Sequence, residues 1–403
     1  MRVLQINSVC GIGSTGRIAT DIDKVLKGQG HESFIAFGRG NASGCNTTIK
    51  IGEKIDNYMH VAKSRLLDMH GFGSNRATKD FIKNIENLNP DIIHLHNIHG
   101  YYLNVELLFE YLKKVNKPVV WTLHDCWGFT GHCAYFDYVN CDRWENGCYN
   151  CPQINSYPGS FAFDNSKNNY KRKRDIFSGV KNMTIVTPSK WLAKLVEKSF
   201  LGNYPVKVIN NGIDLEVFKP TESNFRQKYS LGNKLIILGV ASVWDKRKGY
   251  EYFIDLSQKI NKDEVIVMIG LTNQQIKTLP NNIIGISRTD SVKELVDIYS
   301  AADIFVNPTL EDNFPTTNLE ALACGLPVVT FNTGGSVESI DEKTGLVIEK
   351  NSKALLEAIN SLKADGKPEY SKHSVQRAIQ YYDKKDRFND YLRLYEGSIR
   401  LGS

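Results

Sequence analysis

The stretch that decides the fold runs Glu311-Asp-Asn-Phe-Pro-Thr-Thr-Asn-Leu-Glu320 and continues Ala321-Leu-Ala-Cys-Gly-Leu-Pro-Val-Val-Thr-Phe-Asn-Thr-Gly-Gly335. A short apolar run, Ile304 to Val306, precedes it and reads as a buried parallel strand. After Pro308 comes an acidic loop, then a segment that begins a helix near Pro315 or Thr316, where Pro suits a first turn and Thr or Asn can cap free amides. Gly325 ends that helix and Pro327 opens the next strand, Val328 to Phe331. The result is strand, loop, helix, strand, the unit of an α/β domain. A helix start of this kind offers N–H groups and partial positive charge, a seat for a phosphate rimmed by Asn313, Phe314, Pro315 and Thr316. Asp312 lies at its mouth and Glu320 about two helical turns beyond Asn313. Carboxylates repel a phosphate, so these two suit neutral hydroxyls. A nucleotide sugar carries both a diphosphate and hydroxyls.

Asp312-x7-Glu320, followed by Ala321 and Gly325-x-Pro327-Val328-Val329, resembles the donor-site signature of retaining glycosyltransferases of family 4, which have the GT-B fold. The family's usual pattern has Glu at both ends. Asp at the first shortens the side chain at the sugar-facing end, which bears on the donor sugar rather than on the reaction class. The resemblance implies an α/β architecture of two Rossmann-like domains facing each other, with a C-terminal helix crossing back to the first.

The chain has 403 residues, room for two or three domains with ample core. Hydrophobic residues make up 41% and charged residues 23%, ordinary for a soluble globular protein. No stretch of about 18 apolar residues exists to span a membrane. The opening Met1-Arg-Val-Leu-Gln-Ile-Asn7 reads as a strand and not a signal peptide, so the expectation is a cytoplasmic protein. A net charge of +6 fits an anionic substrate or a membrane surface, demands neither, and suggests no nucleic-acid partner. The basic run Lys171-Arg-Lys-Arg174 reads as a solvated helix face or as a dock for anionic lipid at the inner face of the cell membrane.

The first half opens with a strand (Val3 to Ile6), a glycine-rich loop, a helix from about Arg17 to Lys27 and a strand (Ser33 to Phe37). The loop Gly11-Ile-Gly-Ser-Thr-Gly16 is a G-x-G-x-x-G in the setting of a dinucleotide-binding domain. The acid usual after the second strand is missing and Arg39 stands there, so NADP is one reading. In transferases of the resembled fold such a loop faces the donor phosphates, which implicates Gly13, Ser14, Thr15 and Gly16, the two hydroxyls as added donors.

Asp91 to Gly100 reads as a buried strand running into His94, His96 and His99, and strand Pro118 to Leu123 ends in His124-Asp125. The C-terminal ends of parallel strands line a ligand crevice, so these histidines gather near one cleft. His-x-His at a strand end suits zinc; hydrogen-bonded structural histidines are the other reading, above all for His94 and His99. The segment Val119 to Asp125 resembles the family's strand ending in His-Asp, and the resemblance places His124 near the reacting centre.

Cys133-x7-Cys141-x6-Cys148-x2-Cys151 follows. In a cytosolic protein four clustered thiols read as a structural zinc site, against the alternative of four separately buried cysteines. The block His124 to Cys133 resembles family-4 transferases of bacterial capsule and exopolysaccharide pathways, of the colanic-acid type. Asn210-Asn-Gly-Ile-Asp214 with Phe218-Lys-Pro220 resembles the family's crossover, where Asn-Gly supplies a sharp turn. The expected domains are 1–208, with a cysteine-rich excursion at 126–152; 209–385; and a returning helix at 386–403.

In the second half, strand Leu235 to Ala241 leads to Ser242-Val-Trp-Asp-Lys-Arg-Lys-Gly249. The family has an Arg five residues before Lys-Gly, and both cations hold the diphosphate. Here Lys248-Gly249 is present, Val243 replaces the Arg, and Arg247 or Lys246 is left to supply the charge. The loop Ser287 to Asp290, with Arg288, is expected to border the nucleobase. The tail, Ser371 to Leu401, reads as helical with Phe388, Tyr391, Leu392 and Tyr395 on one side.

These readings combine into hexosyl transfer from a UDP- or GDP-linked sugar to a glycan or lipid-linked oligosaccharide, with retention, in surface polysaccharide biosynthesis. His124, Lys248, Asp312 and Glu320 are the candidate catalytic residues. The resemblance implies no catalytic metal, and the one Asp-x-Asp, Asp21-Ile-Asp23, falls inside the first predicted helix and not at a strand end. The alternatives are an NADP-dependent oxidoreductase, a GT-B-fold epimerase or phosphorylase, and a sugar-nucleotide binder without activity.

Overall fold

The computed structural model describes residues Met1 to Gly402. The chain forms two compact units, one built from Met1–Asn210 and the tail from Arg387, the other from Asn211–Asp386.

Among the described residues the first unit holds seven strands: β1 (Arg2–Asn7), β2 (Glu32–Phe37), β3 (Thr48–Lys50), β4 (Ile92–Leu95), β5 (Val119–Thr122), β6 (Met183–Thr187) and β7 (Val206–Val208). They run parallel in the order β3-β2-β1-β4-β5-β6-β7. The central strands are near-continuous apolar runs because helices cover both faces. On one face Ile18, Ile22 and Leu26 of helix Gly13–Gly28 join Val3, Ile92 and Val120 of the sheet. Phe388, Tyr391, Leu392 and Tyr395 of the tail complete that cluster. On the other face Leu4, Ile6, Ile93 and Trp121 meet Phe109 and Phe177. Strand order reverses between β1 and β4, and a sheet of this kind opens its ligand crevice at that point.

The second unit holds β8 (Leu235–Val240), β9 (Glu264–Ile269), β10 (Ile283–Ile286), β11 (Ile304–Asn307), β12 (Val328–Phe331) and β13 (Gly345–Ile348). These are parallel in the order β10-β9-β8-β11-β12-β13, with the reversal between β8 and β11. Among the described residues no helix is long and apolar enough to cross a membrane.

Besides the edge strand β3, two elements differ from expectation. The first helix begins at Gly13 rather than near Arg17, so Gly13 to Gly16 form its opening turn and not a free loop. The tail is two helices, Lys367–Tyr382 and Lys384–Gly402, not one. The interruption is a local backbone exchange: Ile213 N donates to the Tyr382 carbonyl at 2.7 Å, and Lys384 N donates to the Ile213 carbonyl at 3.0 Å. Gly212 permits this approach, since a Cβ there would lie 2.5 Å from Lys384 Cα.

Candidate active site

In the second unit the loops after β8 and β11 meet at the reversal of strand order. Lys248 Nζ lies 2.5 Å from Asp312 Oδ2. Leu310 N donates to the Arg247 carbonyl at 2.8 Å, and Arg247 Nη1 donates to the Glu311 carbonyl at 3.3 Å. Gly249 explains the Lys-Gly pair: its φ is +80°, and a Cβ there would lie 2.2 Å from the Pro308 carbonyl oxygen. Only glycine lets the first loop close on the second. Val243, where the resembled family carries Arg, is 59% exposed, while its neighbour Trp244 is buried and donates from Nε1 to the Ile269 carbonyl at 2.8 Å. Arg247, rather than residue 243, therefore lies against the Asp312 loop.

The helix after this loop is Thr316–Ala323, with Pro315 at its N-cap and no side-chain cap. The expected Thr or Asn cap is absent among the described residues, because the residue at the cap position is a proline. Phe314 offers its backbone rather than its ring. Its ring is 4% exposed and packs edge-on to Tyr382 at 5.8 Å, and its carbonyl accepts from Asn211 Nδ2 at 3.0 Å. Phe314 and the buried Pro315 thus shape the loop from beneath rather than present side chains to a ligand. Glu320, 7% exposed, accepts from Tyr299 OH at 2.9 Å. Burial pushes the Tyr299 hydroxyl well above its usual range and Glu320 adds to that, so Tyr299 stays a donor and orients the carboxylate. Arg288 is exposed after β10, which β9 separates from β8, so strand spacing sets it roughly 10 Å to the side of the Lys248 loop.

Sequence reasoning missed Asn318. Its Oδ1 accepts from Asn307 Nδ2 at 2.8 Å, and its Nδ2 donates to Ser339 Oγ at 2.9 Å and Ser336 Oγ at 3.2 Å. This buried network ties the helix to β11 and fixes where its first turn stands. The available signal was a polar residue on the inward face of an otherwise apolar helix.

In the first unit, β1 feeds the opening turn Gly13 to Gly16. Gly11 turns the chain with φ +72°, and a Cβ there would lie 1.9 Å from the Ser43 carbonyl oxygen. Thr15 Oγ1 is 3.4 Å from Asn7 Nδ2. At the ends of β4 and β5, His124 Nε2 stands 3.1 Å from His96 Nδ1, and His99 Nε2 stands 2.9 Å from Asp125 Oδ2. Tyr157 OH lies 3.0 Å from His99 Nδ1. Burial holds His124 down at about 4; the Asp125 carboxylate opposes this and His99 reinforces it, so the ring is neutral at pH 7.

The four cysteines of the expected zinc site lie together. Cys133, Cys141, Cys148 and Cys151 line one small cavity with Phe136 and Trp144. Among the described residues, however, no three His, Cys, Asp or Glu side chains form a group able to hold a metal ion. Cys148 Sγ accepts from Gly131 N at 3.1 Å, and Cys133 shares a hydrogen bond with Cys151. Burial pushes the Cys148 thiol up to about 11, while the hydrogen bond with Cys133 brings Cys151 down to about 7. His94 Nε2 lies 2.8 Å from Thr122 Oγ1 and His96 Nε2 lies 3.1 Å from Gln5 Oε1, as hydrogen-bonded structural histidines do.

The basic run is also not one solvated face. Lys173 is 1% exposed, and its Nζ donates to the Trp127 carbonyl at 2.8 Å and the Thr130 carbonyl at 3.0 Å. Arg172 pairs with Glu106 at 2.7 Å and lies 3.9 Å over the Phe72 ring.

A family model described as Glycosyltransferase Family 4 matches residues 15–217, half of the chain. A second, described as Glycosyl transferases group 1, matches residues 234–365. The chain belongs to glycosyltransferase family 4. The transferase is 23% identical to a putative colanic acid biosynthesis glycosyl transferase, WcaC, of Escherichia coli, over 98% of this chain and 100% of that protein. It is 29% identical to the N,N'-diacetylbacillosaminyl-diphospho-undecaprenol α-1,3-N-acetylgalactosaminyltransferase of Campylobacter jejuni, over 47% of this chain and 53% of that one. Among solved structures, a glycosyltransferase from Rickettsia africae superposes with a TM-score of 0.71 at 18% identity, covering 99% of the transferase and 98% of that chain. Anabaena HepE, solved in complex with UDP, superposes at 0.70 and 14% identity, covering 98% and 100%. These likenesses show the GT-B fold. Membership of the family displaces the oxidoreductase reading of the glycine-rich turn.

Proposed function

We propose that the transferase moves a hexosyl group from a UDP- or GDP-linked sugar to a glycan or lipid-linked oligosaccharide, with retention of configuration, in surface polysaccharide biosynthesis. The observation that carries this reading is the meeting of Lys248, Asp312 and an uncapped helix start where strand order reverses. The names of the Escherichia coli and Campylobacter jejuni relatives and the UDP held by Anabaena HepE support it.

The chemistry follows from charge. As the anomeric bond breaks, its electron pair leaves with the diphosphate. Lys248 and the backbone amides around Asn313 to Thr316 hold that growing charge, assisted by Arg247. A preorganised donor of this kind contributes roughly 3 to 4 kcal/mol to the transition state. Lys248 exchanges Asp312 for the diphosphate, which leaves Asp312 to bind sugar hydroxyls. Glu320, oriented by Tyr299, binds the ribose hydroxyls. His124 serves the transfer centre. With no carboxylate assigned as a covalent nucleophile, the acceptor attacks on the face the diphosphate leaves, and a departing phosphate oxygen takes the acceptor proton. Incubation with UDP- and GDP-hexoses and a lipid-linked acceptor, with the product anomer read by NMR, tests this. An α-linked donor gives an α-linked product. A β-linked product, or hydrolysis alone, contradicts it.

A peripheral place at the inner face of the cell membrane is part of the same proposal, on a different element from the basic run. Helix Lys54–Leu67 turns its apolar side outward: Ile55, Tyr58, Met59 and Leu66 are 63%, 69%, 67% and 55% exposed. Its inward side carries His60 and Ser64, an inversion of the usual surface helix. Phe161, 75% exposed, extends the patch beneath the Arg65 guanidinium at 5.3 Å. Lys54 and Arg65 flank the stripe, where long cationic side chains reach anionic headgroups while apolar ones enter the acyl boundary.

A further inference from the structure

Gln5 on β1, His96 just past β4 and His124 just past β5 form a hydrogen-bonded chain. Gln5 Nε2 donates to the Ala19 carbonyl at 2.9 Å. That bond fixes the amide, so Oε1 is the atom that meets His96 Nε2 at 3.1 Å. A carbonyl oxygen only accepts, hence His96 Nε2 carries the hydrogen. His96 is 1% exposed, and burial, with His94 and His124 nearby, holds it well below its ordinary pKa. A neutral ring with its hydrogen on Nε2 has a lone pair on Nδ1. His96 Nδ1 lies 3.1 Å from His124 Nε2, which must therefore donate. His124 is neutral as well, so its own lone pair is on Nδ1.

A second layer holds the first. The His94 ring centroid lies 3.9 Å from that of His96. His94 Nε2 is 2.8 Å from Thr122 Oγ1, and its Nδ1 is 2.6 Å from Tyr395 OH on the tail helix. The ring against which His96 rests is thus pinned at both nitrogens.

We propose that Gln5 and His96 are positioning residues that lock His124 in its Nε2–H tautomer, so that His124 reads the transfer centre through an acceptor nitrogen. This rests on the role given to His124 under Proposed function. An acceptor at Nδ1 takes a hydrogen bond from a sugar hydroxyl. It gives none to a phosphate or carboxylate oxygen, so His124 selects hydroxyls and does not neutralise the leaving group. If Gln5 were unable to accept, both bonds could reverse and His124 would turn from acceptor to donor.

The test is the tautomer itself. Long-range 1H–15N spectra of the 15N-histidine-labelled full chain at pH 7.5, with His124 assigned through His124→Gln, should show a protonated Nε2 and a bare Nδ1. A protonated Nδ1 overturns the proposal. Gln5→Leu should lower kcat about tenfold with donor KM changed less than about twofold, and should disturb the His124 signals. His96→Gln, which offers one donor and one acceptor, should retain more activity than His96→Leu. A Gln5→Leu enzyme with unaltered tautomer and kcat overturns the proposal too. Because the spectrum needs no turnover, a fully active His124→Ala enzyme would remove the assigned role of His124 while the tautomer is judged separately.

Discussion

His60 is 1% exposed, and its Nε2 accepts from two backbone amides, Gly71 at 3.1 Å and Gly73 at 3.2 Å. Its Nδ1 faces Ser74 Oγ at 2.9 Å. Protonating Nε2 would set a donor against two donors. Burial, with Lys63 adding, accordingly holds His60 down at about 3. The sign is fixed: the unfolded chain takes the proton near pH 6.5 and the folded one only near 3. Stability is full above pH 6.5 and drains as pH falls toward 3. We expect this side chain to cost the first unit roughly 2 to 3 kcal/mol between pH 7.5 and 4.5. Denaturant unfolding at the two pH values, compared with His60→Asn, measures it. Equal pH dependence in both proteins would contradict the account. At this scale the sequence was legible where a residue type has one strong habit. Gly325, which ends the Thr316–Ala323 helix with φ +79°, is an example. Long-range pairs such as Tyr299 with Glu320, or Lys173 buried under a basic run, were not legible, because only the fold brings those partners together.

Elements were read well where periodicity was strong and punctuation clear. The strand Val328–Phe331 falls where pattern put it. β3 was missed because three residues on a sheet edge carry no period. The break at Asp383 was missed because a backbone exchange with Ile213 makes it, without Pro or Gly. Helix Lys54–Leu67 is the element whose pattern points away from its own core. Burying a Met or Leu side chain is worth about 1.5 to 3 kcal/mol, so Met59→Glu with Leu66→Glu should weaken binding to vesicles containing anionic phospholipid at least about tenfold. Co-sedimentation with such vesicles reads this. Undiminished binding by the double variant, or no vesicle binding by the parent, contradicts a lipid-facing helix; a concentration-dependent dimer lost in the variant would point to a second copy instead.

For the whole molecule, the donor-type signature at Asp312 to Glu320 and the crossover at Asn211-Gly212 carried most of the architecture. The crossover is a local string whose Gly212 is demanded by a backbone approach to Lys384, and Gly249 of the Lys248 loop is demanded likewise by Pro308. Glycosyltransferase family membership follows from matches in both halves of the chain. The four cysteines whose spacing suggested a metal cage do come together, lining one small cavity with Phe136 and Trp144. What joins the scales is one claim about the second unit, that its Lys248 cation and the amides at Thr316 receive a diphosphate in place of Asp312. A crystal structure of the transferase soaked with UDP or GDP tests it most directly. The account predicts the diphosphate on the Thr316 helix start, with Lys248 Nζ moved from Asp312 onto a phosphate oxygen. A nucleotide bound elsewhere, with the Lys248–Asp312 pair still closed, would contradict it.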